Sequence, residues 1–305
     1  MINVYENSKI YIACPPYAQT GGPEALHVLA YELRNLGFDA YMFYGGSYAN
    51  PVAKAYQKYD VPYVPDVEAT PQNAIIVPEI WGHKLNQYPN MQKGFYWLSV
   101  DNYFGTTEID FNDNTITHLT QSYYALDFVQ KQGAKNISYL SDYLNEFYIK
   151  NAPKEFVNRE DIILYNPAKG IQHTNKIIQQ APNLDFVAIS GMNQEQIKDL
   201  CLKSKIYIDF GQHPGKDRIP RETAILGNIV ITNKAGSANF YEDVPIGHEY
   251  KFDNVSAEIT QIINKLEYCL KNYEICIKDF ENYRHTIKHE KEKFISDIQK
   301  IFIRN

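Results

Sequence analysis

The chain has 305 residues, a length that suits one large core or two medium domains, and two domains is the expectation. A hydrophobic share of 44% against 22% charged is that of a soluble globular protein folded nearly throughout, which excludes long disordered tracts. The formal net charge of -6 excludes a general electrostatic pull towards nucleic acid, so no nucleic-acid partner is expected and only a local basic patch is left to bind phosphate.

The opening "MINVYENSKIYIACPP" lacks the basic start and long apolar run of a secretory signal. No later window reaches the apolar length of a membrane span, so a cytoplasmic location is expected. Cys14, Cys201, Cys269 and Cys276 are scattered and free of CxxC spacing, which indicates reduced, buried thiols and neither a zinc site nor a disulfide framework.

The first unit begins with the apolar run "KIYIACPP", a glycine turn, and then "PEALHVLAYELRNLG", in which Leu26, Leu29, Ala30 and Leu33 recur at helical spacing. Pro23 suits the first helical turn and Gly37 the exit. Further apolar runs follow at "DAYMFY", "NAIIVPEI", "GFYWLSV" and "NTITHL", and "SYYALDFVQKQG" supplies a helix ending at Gly133. After the polar passage "NAPKEFVNR" the pattern restarts with the strand "DIILYNP" and a helix beginning near Gln172. Then come "LDFVAIS", "QEQIKDLCLKS", "KIYIDFG", "RETAILG" and "NIVIT", and from Ser256 onward the chain reads as helical. Alternating strands and helices predict α/β units with parallel sheets. The expected division is residues 1–155, 156–280 and a C-terminal helix over 281–305. The mixed charge of that last helix favours packing back across the domains over peripheral membrane contact.

In open parallel sheets ligands bind beyond the carboxyl ends of strands, where loops and helix starts present free N–H groups. Three loops fit. In "CPPYAQTGGPE", Gly21 and Gly22 lie between strand and helix and admit a ligand to backbone that a side chain would block, without making a GxGxxG fingerprint. In "YNPAKGIQHTNK", Lys169 and Gly170 stand just ahead of a helix, where a lysine is disfavoured by the dipole unless it serves an anion. In "GQHPGKDRIPRETAILG", Lys216, Arg218 and Arg221 gather at a helix start near Pro220. Cations crowded at the positive end of a helix repel one another and the dipole, a cost that a bound diphosphate relieves. The competing reading pairs them with Asp217 and Glu222 in surface salt bridges of little energetic weight.

The run "DIILYNPAKG", followed by "KSKIYIDFGQHPGKDRIPRETAILGNIVITNKAGSANFYED", resembles the C-terminal nucleotide-sugar domain of GT-B glycosyltransferases, particularly the glycosyltransferase 4 type. "TGGPEALHVLAYELRNLGFDAYMF" is similar to that family's N-terminal glycine loop and helix, and "LTQSYYALDFVQKQGAKNISYLSDYL" to its last N-domain helix and strand. The resemblance implies an α/β GT-B fold: two Rossmann-like domains, an N-terminal acceptor-side domain and a C-terminal nucleotide-sugar domain, facing each other across a cleft, with C-terminal helices. It implies a glycosyltransferase moving a sugar from a nucleotide-sugar donor to a glycan or lipid-linked acceptor. Members with a "GKDRIPRE"-like loop resemble bacterial surface-polysaccharide enzymes. By the same resemblance Lys169 touches the donor diphosphate, Glu222 holds the ribose, and Gly21 and Gly22 face donor and acceptor. The family's further glutamate, eight positions before the ribose one, is Pro214 here, so the resemblance assigns no residue to the transferred sugar and no stereochemical outcome.

GT-B enzymes resemble one another in meeting the leaving diphosphate with cations and helix dipoles, so neither a metal nor a cofactor is expected. If transfer inverts, a base must take the acceptor proton, and the N-terminal half offers Glu79 in "VPEIWGH", His83, and Asp101 in "WLSVDNY". Asp101 stands where relatives often place a histidine. "DFNDNT" begins like a calcium loop, but Thr115 replaces its glycine and Gln121 its bidentate glutamate. Histidines show no ligand spacing and no GxSxG element is present. Beside transfer, two readings stay open: a sugar-nucleotide epimerase of the same shape and a non-catalytic nucleotide- or glycan-binding relative.

Overall fold

The computed structural model describes residues 1–103 and 109–305. The chain folds as two compact units. Unit 1 holds Met1–Asp142, Pro214–Lys216 and Lys291–Asn305; unit 2 holds Tyr143–His213 and Asp217–Glu290.

Unit 1 contains β1 (Ile2–Val4), β2 (Lys9–Ala13), α1 (Gly21–Asn35), β3 (Asp39–Phe43), β4 (Tyr63–Val64), β5 (Ala74–Pro78), β6 (Gln92–Trp97), β7 (Ile116–Thr120), α2 (Tyr123–Lys131) and β8 (Ile137–Tyr139). Seven strands form one parallel sheet in the order β4-β3-β2-β5-β6-β7-β8. The run Ala74–Pro78 is buried at every position, as a central parallel strand covered on both faces requires. Helix α1 buries Leu26, Leu29, Ala30 and Leu33. It leaves through Gly37 at φ +80°, a left-handed conformation that glycine adopts without steric cost.

Unit 2 contains α3 (Glu146–Lys150), β9 (Glu160–Tyr165), α4 (Ile171–Gln180), β10 (Asp185–Ala188), α5 (Gln194–Lys203), β11 (Ser204–Asp209), α6 (Arg218–Ile225), β12 (Ile229–Asn233), β13 (Lys251–Phe252), α7 (Ile259–Lys271) and α8 (Tyr273–Cys276). Its five-stranded sheet, again parallel, runs β10-β9-β11-β12-β13. The core gathers Ile163, Leu164, Ile206, Tyr207, Ile208, Val230 and Ile231 from the strands with Ile262 and Leu266 from α7. The long helix α9 (Glu281–Ile301) contributes Tyr283 and Ile287 to that core. Its later residues Phe294 and Ile298 are buried too, and the chain finishes as β14 (Phe302–Arg304), parallel to β1 within unit 1. All four cysteines are buried and free. Among the described residues no helix is long and apolar enough to cross a membrane.

The expected α/β class with parallel sheets is what the chain forms. Two boundaries differ from expectation: the C-terminal helix ends at Ile301, where β14 takes over, and α6 starts at Arg218, with Asp217 at its N-cap, so Pro220 lies third in the helix. Proline is tolerated there because the first helical N–H groups have no intrahelical partner.

Candidate active site

Strands β9 and β11 are adjacent and parallel, with Ile163 opposite Ile206, so the loops leaving their carboxyl ends lie side by side. The loops are also wedged together. A Cβ on Gly170, which sits at φ +60°, would stand 2.3 Å from the carbonyl oxygen of Phe210, and one on Gly211 would stand 2.5 Å from the Cβ of Lys169. Only glycine satisfies both the backbone angle and that approach at position 170.

This wedge brings Lys169 to Asp217. The ammonium donates to Asp217 Oδ1 at 2.7 Å, with the two side chains 31% and 19% exposed. Asp217 Oδ2 is 2.8 Å from His213 Nδ1, a contact short enough for an ion pair although its angle falls short of a well-formed hydrogen bond. On the far side of the ring His213 Nε2 is 3.8 Å from Asp209 Oδ1. Asp209 in turn accepts from the Tyr207 hydroxyl at 2.8 Å and from the Gly211 N–H at 3.2 Å. Burial pushes the Asp217 carboxyl up, but His213 and Lys169 outweigh it and hold Asp217 below the usual carboxylate range. Burial likewise pushes His213 down, and the flanking carboxylates Asp217 and Asp209 override it and raise the imidazole above its ordinary value.

Asp209, His213 and Asp217 are also close enough to hold a metal ion, their ligand atoms lying within 4.8 Å of one another. Lys169, Tyr207 and the Gly211 amide already engage the carboxylates, while His213 Nδ1, His213 Nε2 and Asp217 Oδ2 are buried and meet one another and Asp209 at ion-pair distance without a well-formed hydrogen bond, so the group reads as an ion-pair network. Asp209 and His213 were not singled out from the sequence. Their signal was the four-residue spacing of Asp209, His213 and Asp217 beyond a strand, which has meaning only once the loop conformation is known.

The remaining unit 2 candidates are on α6. Arg221 has a fully buried side chain whose Nη1 donates to Glu290 Oε2 at 3.0 Å and whose Nε donates to the Asp217 carbonyl at 3.2 Å. Glu290 also accepts from the Leu144 N–H at 3.1 Å. Glu222 is 8% exposed and hydrogen-bonds with the hydroxyl of Tyr148. Arg218, half-buried, opens the helix close enough to Tyr148 to act on it electrostatically.

In unit 1 the candidates line up on the carboxyl ends of three neighbouring strands. Gly21 and Gly22 follow β2, Glu79 follows β5 directly, and Asp101 follows β6. At Gly22 an added Cβ would meet only Leu98 Cδ1 at 3.7 Å, so the unit's own packing does not demand glycine there. Glu79 is 3% exposed and accepts from the Leu98 N–H at 3.0 Å. Burial pushes its carboxyl up to about 7 against the opposing pull of backbone N–H groups at Leu98, Ser99 and Glu79 itself. Asp101 accepts from the Tyr124 hydroxyl at 2.9 Å. His83 is exposed. Lys216 belongs to unit 1, where its ammonium donates to Ser141 Oγ at 3.0 Å. Beside it, a Cβ on Gly215 would stand 2.0 Å from the Leu98 carbonyl oxygen, and the Val100 N–H donates to the Pro214 carbonyl at 2.8 Å.

Two parallel α/β units with a C-terminal helical segment make the fold of the GT-B glycosyltransferases. Among solved structures, Anabaena HepE bound to UDP and glucose superposes with a TM-score of 0.67 at 11% identity, over 97% of this chain and 98% of that one. A glycosyltransferase from Rickettsia africae ESF-5 superposes at 0.66 with 15% identity over 97% and 98%. A variant of Staphylococcus aureus TarM, bound to fondaparinux, alpha-GlcNAc-glycerol and UDP, gives 0.57 at 18% identity over 77% of this chain, which spans 55% of TarM. No family model matches the sequence, and no curated protein matches it.

Proposed function

We propose that the protein is a glycosyltransferase that moves a sugar from a nucleotide-sugar donor to a glycan acceptor, with the donor on unit 2 and the acceptor on unit 1. The observation that carries this reading is the Lys169–Asp217 bond at 2.7 Å, which holds a cation at the N-terminus of α6 on the carboxyl-end loops of β9 and β11. Departure of a nucleoside diphosphate builds negative charge on its oxygens. Positive groups fixed before that charge appears need no reorganisation, and a single well-placed donor of this kind contributes about 3 kcal/mol to the barrier.

In this reading Lys169, Arg218 and the α6 N–H groups receive the diphosphate, Gly170 lets the backbone approach it, and Glu222 holds the ribose. Arg221 keeps α6 in place through Glu290. On unit 1, Gly21 and Gly22 leave room for substrate, and Lys216 fixes its loop against Ser141. Glu79 is the leading base, since a carboxyl titrating near 7 matches neutral operation, and Asp101 is the second choice. A surface polysaccharide is the acceptor class favoured, supported by the glycan ligands of TarM; a lipid-linked form of it would need membrane contact at the inner face.

The test is a panel of UDP-, GDP-, CMP- and dTDP-sugars, read for donor fate and for thermal stabilisation, since a ligand that binds the native state raises apparent stability. Acceptor-dependent release of nucleotide supports transfer, and an altered sugar still attached to nucleotide makes the protein an epimerase. Saturable stabilisation without turnover makes it a binding protein.

A further inference from the structure

Two carboxylates lie beside the surface on which the proposed function seats a diphosphate. Asp217 is in direct contact with Lys169, and Asp209 closes the other end of the same chain of groups. With a neutral imidazole between them, the cluster carries two negative charges against the one ammonium of Lys169. It would then repel the anion that the loop receives. With a charged imidazole the cluster is neutral, Asp217 is balanced from both sides, and Lys169 remains positive on the face open to solvent.

Resting on the donor reading above, we propose that His213 is a charged imidazolium, buried behind the donor site between Asp209 and Asp217, that fixes Asp217 and through it the Lys169 ammonium for diphosphate binding. His213 is a positioning residue: its side chain is 0% exposed, so it acts on a nucleotide only through Asp217 and Lys169. The main chain holds it in register. The Ser237 N–H donates to the His213 carbonyl at 2.8 Å, and Gly236, at φ +53°, packs so closely that a Cβ there would stand 2.0 Å from the same oxygen. The backbone that carries the ring is therefore fixed, and the side chain itself is fully buried. The charged groups that face it are Asp209 at the end of β11, Asp217 at the head of α6 and Lys169 from the loop after β9. A buried acid–base chain of this composition is strongly interdependent, because removing one charge leaves its partner buried and uncompensated.

The first experiment needs no nucleotide. Histidine side-chain nitrogen NMR on the wild-type chain is expected to show both ring nitrogens of His213 protonated at pH 7.5; a neutral tautomer at that pH overturns the proposal outright. The second is calorimetry with UDP as the probe. His213→Gln, which keeps the bulk and loses the charge, is expected to weaken UDP about tenfold at pH 7. Pairing it with Asp209→Asn, which removes one negative charge as well, is expected to restore most of that loss. A purely structural histidine would show no such rescue. Wild-type UDP affinity in folded His213→Gln overturns the role of His213 and leaves the donor reading standing. Failure of the wild type to bind UDP, GDP or inorganic pyrophosphate overturns the donor reading and takes the diphosphate part of the proposal with it.

Discussion

Replacing Glu79 by glutamine should stabilise the protein and silence it. Glu79 follows β5 with 3% of its surface exposed, and its carboxyl is pushed from 4.5 to about 7 by burial. A group whose native pKa is raised favours the folded state while it is protonated. That contribution is complete below pH 4.5 and is lost as pH climbs through 7. At about 1.4 kcal/mol for each pH unit the loss over that window amounts to about 3 kcal/mol. The glutamine side chain would keep the shape and an acceptor for the Leu98 N–H without ever taking on charge. The stability difference between variant and wild type should therefore shift in favour of the variant by about 3 kcal/mol between pH 4.5 and pH 8. Urea titrations followed by tryptophan fluorescence measure this, because the two tryptophans, Trp81 and Trp97, both lie in unit 1 with Glu79. Subtracting the two proteins' curves cancels every other titrating group. Parallel curves across that range would refute the reasoning, since they would mean that Glu79 titrates alike in the folded and unfolded chain. A glutamate kept where glutamine is more stable is the signature of a side chain retained for its chemistry.

Lys169→Met should leave the chain folded but lower its thermal midpoint, because Asp217 loses one of its two counter-charges, and should lower kcat/KM for the donor at least about a hundredfold, as loss of one fixed positive group at a developing anion does; steady-state kinetics on the identified donor check it. Arg221→Met should cost about 3–5 kcal/mol, because it strands Glu290, whose side chain is 4% exposed, without its cation. The double variant Arg221→Met with Glu290→Leu should recover much of that in urea titration. Gly170→Ala should cost about 1–3 kcal/mol and weaken UDP, since an alanine would have to hold φ +60° with its Cβ 2.3 Å from a carbonyl oxygen.

The long elements were legible because their causes are local. Ala74–Pro78 is an unbroken apolar run of strand length, Ile229–Asn233 opens with three β-branched apolar residues, and α1 carries its own periodicity and its own glycine exit. Strands β4 and β13 have two residues each, too few for any period, and owe their pairing to neighbours already in place. The β1–β14 ladder joins Ile2 to Phe302, a contact that no window along the chain can contain. For the site, the sequence located the loops, since a strand–loop–helix order places them at strand ends whatever their side chains do. It did not separate the cations. Arg218 and Arg221 lie three apart on one helix, yet Arg221 is sealed against Glu290, a residue 69 positions away and on a different helix.

The charge crowded into residues 213–222 thus divides by partner. Arg221 is neutralised in the interior of unit 2 by Glu290, Lys216 is held in unit 1 by Ser141, and Lys169 comes in from another loop to meet Asp217. A rank of cations free to repel one another would have to be ordered by its ligand, and the ordering would be subtracted from affinity. Here the ordering is done on folding. Asp217 serves as both helix cap position and counter-ion, so Lys169 waits at the α6 N-terminus already oriented. In the proposed donor site an arriving phosphate would compete with one carboxylate oxygen and would meet the N-terminus of α6, which that carboxylate does not cap through its side chain. On that reading the positive end of the helix, which the Asp217 side chain does not cap, is what would tilt the exchange towards a diphosphate.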